Sequence, residues 1–462
     1  MATSLQAKKS FRHGIHPPES KSVTSKLAIR QFPFAPVMLV PLAQHLGSPA
    51  QPVVHEGQEV VRGQLIAKET GFVSVPIHAP ASGIIQRIGL VPHISGRMVP
   101  GIYLKPFPAS SQEVFEGTPI DPDTASPEEI ITGIQQAGIV GLGGAAFPTH
   151  VKLKIPEGKR IDTLIINGVE CEPYLTTDHR VMLEQIDDIL MGIRYVMKVT
   201  GATRTIIGIE GNKPDAGEAL AAAIPAGMPV TVELVKVKYP QGAEKMLITA
   251  LLDREVPSGG LPADVGVVVV NVATTAEIGR LLPHGRGIQE RVITITGPGV
   301  KKPGNYLIAI GTPLRFALET VGLTDDASRV FMGGPMMGPA VSSLDIPIIK
   351  GTSGVVVFTE KETEKKTDTI YPCIRCAYCV DACPIFLNPS MLGLLAKNRD
   401  YDRMVSDYNL MDCFECGSCS YVCPSHIPLV QYFRIAKGIA RERQAEARKK
   451  EQASQNEKKA SA

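Results

Sequence analysis

Eight of the nine cysteines lie in two runs near the end of the chain, and their spacing suits a redox centre. The first run is Cys373-Ile374-Arg375-Cys376-Ala377-Tyr378-Cys379-Val380-Asp381-Ala382-Cys383-Pro384. The second is Cys413-Phe414-Glu415-Cys416-Gly417-Ser418-Cys419-Ser420-Tyr421-Val422-Cys423-Pro424. Each reads C-x2-C-x2-C-x3-C-P. Three thiolates at this spacing fold round three corners of an iron–sulfur cube. The fourth, placed before a helix-starting proline, reaches across to the other cube. The pattern assigns one 4Fe–4S cluster to Cys373, Cys376, Cys379 and Cys423. It assigns the other to Cys413, Cys416, Cys419 and Cys383. A tetrahedral zinc site would leave the third close cysteine of each run surplus. A disulfide framework is poorly supported, because the N-terminus MATSLQAKKSFRHG has no apolar signal core and the thiols cluster tightly.

A second stretch has the composition of a phosphate cradle. In Gly141-Leu142-Gly143-Gly144-Ala145-Ala146-Phe147-Pro148-Thr149-His150-Val151-Lys152, the glycines let backbone N–H groups approach a phosphate without Cβ hindrance. Lys152 supplies charge. The stretch matches neither of the two common glycine-rich nucleotide loops, and an ordinary turn has the same composition. Asn167-Gly168-Val169-Glu170-Cys171-Glu172-Pro173 directly follows an apolar strand, at the edge where parallel sheets bind ligands. Two carboxylates and an amide there could bond a flavin ring or a ribose. The alternative is a solvated turn.

These residues need a scaffold, and 462 residues with 44% hydrophobic side chains allow two to four domains. The formal charge of +2 argues against a nucleic-acid partner. Clustered free thiols indicate a reducing compartment. No apolar run approaches the roughly 18 residues of a bilayer span. Residues 1–30 read as an irregular arm. Residues 31–125 hold short β pieces punctuated by glycine and proline, as in a small β-sandwich, with His55 and His78 as structural histidines. The segment from Val54 to Ala67 with Ala79–Gly83 resembles a biotinyl/lipoyl-type domain, without an evident modifiable lysine. Residues 126–285 alternate Val/Ile-rich strands with helical patterns, which implies a mostly parallel sheet. Residues 286–350 form a small α+β module, and 351–368 read as a linker. Residues 369–440 carry the cysteines, with room for two short helices between the runs. Residues 441–462 form a polar tail, expected as a frayed helix or disordered.

The loop GLGGAAFPTHVKL and the segment NGVECEP resemble the flavoprotein subunit of respiratory complex I. Nearly the whole chain resembles the C-subunit family of the Rnf electron-transport complex of bacteria. The matching residues are His13 to Lys21, the lipoyl-like segment, both loops, Met332–Gly338 and the cysteine runs. The resemblance implies a multidomain α/β protein. Its parts are a lipoyl-like β-sandwich, a complex-I-flavoprotein-like α/β core, a β-grasp module and an α-helical two-cluster ferredoxin domain. It implies FMN, NAD(H) and two 4Fe–4S clusters as cofactors. Gly141, Gly143, Gly144 and Lys152 would hold FMN. Asn167, Glu170 and Glu172 would lie near the flavin and nicotinamide, the two glutamates being the candidate catalytic carboxylates. Glu244 and Lys245, and Asn271 and Thr274, correspond to nucleotide-binding segments. This chain departs from complex I in having Leu142 for an arginine, Cys171 for a glycine and Lys245 for an acid. The implied protein is a peripheral oxidoreductase subunit on the cytoplasmic side of the bacterial inner membrane. Its partners would be membrane subunits of the complex, NADH, and ferredoxin or flavodoxin. A cobalamin-reductase-like protein and a non-catalytic electron-carrier subunit are the alternative readings.

Overall fold

The computed structural model describes residues 6–108, 111–144, 146–364 and 369–460. At its centre four parallel strands lie in the order Val230–Val235, Arg204–Glu210, Thr163–Gly168, Val267–Asn271. Continuous Val/Ile runs suit strands covered on both faces. Leu164, Ile166, Ile207, Val268 and Val270 point into one core, beneath the helices Ile186–Thr200 and Val272–Leu281. Ile165, Ile206, Val267 and Val269 point into another, closed by Leu247 and Leu251 of helix Glu244–Leu252. Each buried side chain of this size contributes about 1.5–3 kcal/mol. The two helices on the first face cross in backbone contact. A Cβ on Gly192 would stand 1.9 Å from the Thr275 carbonyl oxygen, so only glycine fits.

The expected sandwich is present. A four-stranded sheet runs Met38–Pro41, Met98–Pro106, Gly83–Pro92, Glu59–Val60. It faces a three-stranded sheet of Gln51–Pro52, Leu65–Lys68 and Ile77–His78. Met38, Val40, Ile66, Ile77, Ile85, Ile102 and Leu104 fill the space between them. Burial, reinforced by the Lys350 charge, lowers His78 to about 3, so it packs as a neutral ring. His55 lies at the surface.

Two segments differ from expectation, and a third, the tail, takes the helical one of its two expected forms. The arm is not irregular throughout. Ile29–Gln31 pairs in parallel with Asn305–Leu307, Ile15 pairs with Tyr239, and Lys9 bridges to Val235. The arm thus joins two sheets, and its first five residues lie outside the described ones. The linker expected at 351–368 begins with a core strand. Gly354–Thr359 sits between Glu290–Thr296 and Ala327–Met332 in a five-stranded sheet, which Gly304–Ala309 and Ile29–Gln31 complete. Its Val355-Val356-Val357 run is buried, which is why it pairs and does not span. Residues 365–368 of the expected linker lie outside the described residues. The polar tail continues one helix, Leu429–Ala460. Phe433, Ala436 and Ala440 are buried, and residues 441–450 are exposed. Ala, Glu, Gln, Lys and Arg favour a helix without packing.

Around the cysteines, Pro389–Lys397 and Tyr401–Ser406 are the two short helices expected between the runs. The described residues from 369 to 460 contain no strand.

Candidate redox site

The two cysteine runs fold alike. Arg375 and Glu415 take positive φ of 58° and 62°, and Ala377 and Gly417 take 66° and 82°. Phe386 and His426, each three residues past the fourth cysteine, repeat the device. These left-handed residues turn the loop so that its thiols converge. Cys383, Cys413, Cys416 and Cys419 line one small cavity, together with Pro384 and Phe433. Burial raises Cys413 to about 11, against the amide of Glu415, and the nearby Cys416 and Cys383 add to the rise. Burial also raises Cys379 to about 11, and Cys423, Cys376 and Cys373 act on it in the same direction. Cys383, the fourth thiol of the first run, thus stands with the first three of the second, and Cys423 lies near Cys379. Buried thiols gathered from both runs suit iron, whose positive charge offsets the cost of ionising them. The donor set fits two cubes.

The glycine loop stands at the carboxyl ends of the parallel strands. Gly141 N–H donates to Phe147 O (2.9 Å) and Leu142 N–H to Thr274 Oγ1 (2.9 Å). Asn271 caps helix Val272–Leu281, accepting from the Thr274 amide, and its Nδ2 donates to Asp178 Oδ2 (2.8 Å). Gly143 lies against that amide; a Cβ there would come within 2.4 Å of Asn271 Nδ2. Asp178 N–H donates to Glu170 Oε1 (2.9 Å). The other Glu170 oxygen is buried and finds no hydrogen-bond partner among the described residues, with Lys21 Nζ 4.0 Å away. Gly141–Gly144, Asn271, Thr274, Asp178 and Glu170 thus form one network. Gly143 and Gly144 are exposed at its surface, and a Cβ on Gly144 would meet nothing described within 4 Å. Open glycine backbone beside a helix N-terminus, with one buried carboxylate oxygen free of hydrogen bonds, fits a phosphate-bearing ring with N–H groups.

Other sequence candidates lie elsewhere. Lys152 and Glu244 pair with each other at 2.8 Å, both half-buried. Lys245 Nζ reaches Pro257 O at 3.5 Å. Asn167 donates to Gly242 O (2.8 Å) and accepts from Val169 N. Glu172 Oε1 accepts from the amides of Met336 (2.7 Å) and Met337 (3.2 Å). Burial raises the Glu172 carboxyl while those amides hold it down. It anchors the Met332–Gly338 turn, which sequence treated as plain packing.

The sequence reading missed the groups beneath the loop. Buried Arg291 donates to Leu142 O (3.0 Å) and to Lys350 O. Burial lowers it to about 10, and Asp178 and Glu277 oppose the fall. Lys21 donates to the Glu172 (2.7 Å) and Leu175 carbonyls; burial lowers its pKa and Glu170 resists. Lys213 is buried against Glu210 (2.8 Å); burial disfavours its charge, but Glu210 and Glu170 outweigh that. Burial, then the Glu170 charge, raises Asp178 to about 7. A lone arginine in a strand carries no motif, so only its burial could have revealed it.

Four families match successive stretches of the chain. They are the RnfC barrel sandwich hybrid domain (9–106), the Nuo51 FMN-binding domain (134–280), the SLBB domain (292–340) and the 4Fe-4S dicluster domain (372–427). The chain is 44% identical to the C subunit of the proton-translocating ferredoxin:NAD(+) oxidoreductase complex of Clostridium ljungdahlii, covering 93% of each chain. It is 41% identical to the Na(+)-translocating counterpart of Acetobacterium woodii, covering 92% of this chain and 96% of that one. It is 40% identical to the C subunit of the ion-translocating oxidoreductase complex of Rhodobacter capsulatus, covering 94% and 84%. The chain belongs to the C-subunit family of ion-translocating ferredoxin:NAD(+) oxidoreductase complexes. The expected fold class, FMN domain and paired-cluster domain agree with these matches. No helix among the described residues is long and apolar enough to cross a membrane.

Proposed function

We propose that this chain is the peripheral subunit through which an Rnf-type complex exchanges electrons between NAD(H) and ferredoxin or flavodoxin. Ion movement belongs to membrane subunits, and the chain docks to them on the cytoplasmic face of a bacterial inner membrane. The observation that carries the reading is an unbroken contact path within one chain. It leads from the glycine-loop network through Glu170 and Cys171 to the Tyr239–Gly242 turn, and from Tyr239 to Cys416 of the second cysteine run. Gly143 and Gly144 would offer backbone donors to the FMN phosphate. Thr274, Asn271 and Arg291 hold the loop that presents them. Glu170 Oε2, buried without a hydrogen-bond partner among the described residues, would accept from a ring N–H. Cys373, Cys376, Cys379 and Cys423 hold one 4Fe–4S cluster; Cys413, Cys416, Cys419 and Cys383 hold the other. Bound FMN supplies exchange between two-electron hydride chemistry and the one-electron chemistry of the clusters. The protein groups position and exclude water; none is needed as an acid or base. Glu172, Glu244, Lys245 and Asn167 support the surrounding loops.

The test is an anaerobic optical spectrum of the purified chain before and after NADH, with iron and FMN quantified. FMN and iron–sulfur absorbance bleaching together is the expected result. Clusters that stay oxidised after reconstitution with FMN and addition of NADH would leave only an electron-carrier role.

A further inference from the structure

The two cysteine runs are alike in sequence but unlike in surroundings. Cys373 is exposed and Ile374 beside it is 67% exposed. The second run is enclosed. Its Gly417 packs on the Met336 carbonyl, which a Cβ would approach to 2.8 Å, and Arg434 donates to the Met337 carbonyl (3.1 Å). That turn is anchored on Glu172. On the other side stands Tyr239, 1% exposed, whose hydroxyl donates to the Cys416 carbonyl (2.7 Å). Tyr239 is itself fixed. Its backbone pairs in both directions with Ile15 (2.8 and 2.9 Å). The turn that follows it is tied back to the NGVECEP loop, because Gly242 accepts from Asn167 Nδ2 and donates to Cys171 Sγ (3.3 Å). Ile15, Tyr239, Cys171, Met336, Cys416, Val422 and Ala382 form one apolar cluster.

We propose that Tyr239 is the positioning residue that locks the second cluster loop to the flavin-binding domain. The Cys383/Cys413/Cys416/Cys419 cluster is then the one that exchanges electrons with the flavin side, and the exposed Cys373/Cys376/Cys379/Cys423 cluster faces the partner. This rests on the electron-transfer reading above. Packing alone would be served by phenylalanine. The buried hydroxyl is the part that packing does not require, and it joins the carbonyl of the ligand residue Cys416 to the Glu172 carboxylate that anchors the facing turn. Hydrogen bonding and solvent exclusion at such a loop set a cluster's potential. Electron transfer also falls steeply with distance, so a loosened loop slows it.

The experiment uses the full chain with its cofactors. Tyr239→Phe and, from the opposite side of the loop, Gly417→Ala are titrated redox-potentiometrically by electron paramagnetic resonance. A Cys373→Ser background identifies the two signals. The expected result is full FMN and iron content, with a shifted potential for the second-run cluster alone. Its reduction by NADH slows roughly threefold to tenfold, the scale of one lost hydrogen bond, while flavin reduction keeps its rate. Unchanged potentials and rates in Tyr239→Phe would overturn the proposal. So would equal shifts of both signals, or a shift confined to the Cys373 cluster. If Tyr239→Phe loses its iron, Gly417→Ala decides by the same criteria. Wild-type clusters that ignore NADH would instead overturn the electron-transfer reading, and the potentials would still judge Tyr239.

Discussion

At the scale of single residues, the buried carboxylates of this chain divide by the groups they hold. Glu172 serves two backbone amides of one turn. Glu172→Ala should therefore destabilise the chain by about 1–3 kcal/mol, the cost of stranding donors at a charged acceptor. Glu172→Gln, which keeps an acceptor oxygen, should retain most of that. Urea unfolding of the two variants checks it, and equal midpoints would remove Glu172 from the turn. Asp178 gives a pH test. Its carboxyl is raised from 3.8 to about 7 by burial and by the Glu170 charge. Between those values the folded state keeps a proton that the unfolded chain has released. Stability from this group thus falls as pH rises through that window. Asp178→Asn cannot ionise, so its stability relative to the parent should grow from about pH 4 to about pH 7 and then level off. Denaturation midpoints across that range check it; a constant difference would mean that Asp178 ionises freely.

At the scale of elements, the helix Val272–Leu281 couples the glycine loop to the core. Its first turn carries Asn271 and Thr274 against the loop, and its far face touches helix Ile186–Thr200 through glycine. Gly192→Ala must push the Thr275 carbonyl aside. A cost of about 1–3 kcal/mol is expected from overpacking, together with weaker FMN retention, because the helix cannot move without its cap. Thermal unfolding and FMN content after gel filtration measure both. Lost stability with normal FMN retention would show that the loop is held independently. The strands of this region were legible in sequence because Val/Ile runs between helical patterns have few other uses. Gly354–Thr359 was not assigned. It begins with a glycine and precedes a charged stretch, and its place inside a sheet depends on partners some 60 residues earlier at Thr294–Thr296.

At the scale of the whole molecule, the N-terminal arm ties the modules together. Lys9 meets the parallel sheet, Ile15 meets Tyr239, Lys21 is buried under the NGVECEP loop, and Ile29–Gln31 joins the five-stranded sheet. His13 Nδ1 lies 2.7 Å from the Asp381 carbonyl oxygen in the first cluster run. Deleting residues 6–14, which spares the buried Lys21 and Thr24, should leave FMN and iron bound but uncouple them, so that NADH reduces flavin without reducing clusters. Stopped-flow absorbance separates the two phases, and normal cluster reduction in the truncated chain would make the arm dispensable.

The sequence alone determined the cluster chemistry, because ligand spacing is local: three thiols two residues apart define a cube corner wherever the run is placed. It also determined the glycine loop, the parallel sheet and the sandwich, each of which follows from composition over a few residues. Which carboxylate faces the loop and which anchors a turn could not be read from the segment Glu170-Cys171-Glu172, since residues two apart take opposite partners here. The roles of Arg291, Lys21 and Tyr239 likewise came only from tertiary structure. Burial of a charge or a hydroxyl is set by chain segments distant in sequence, and those residues carry no spacing of their own.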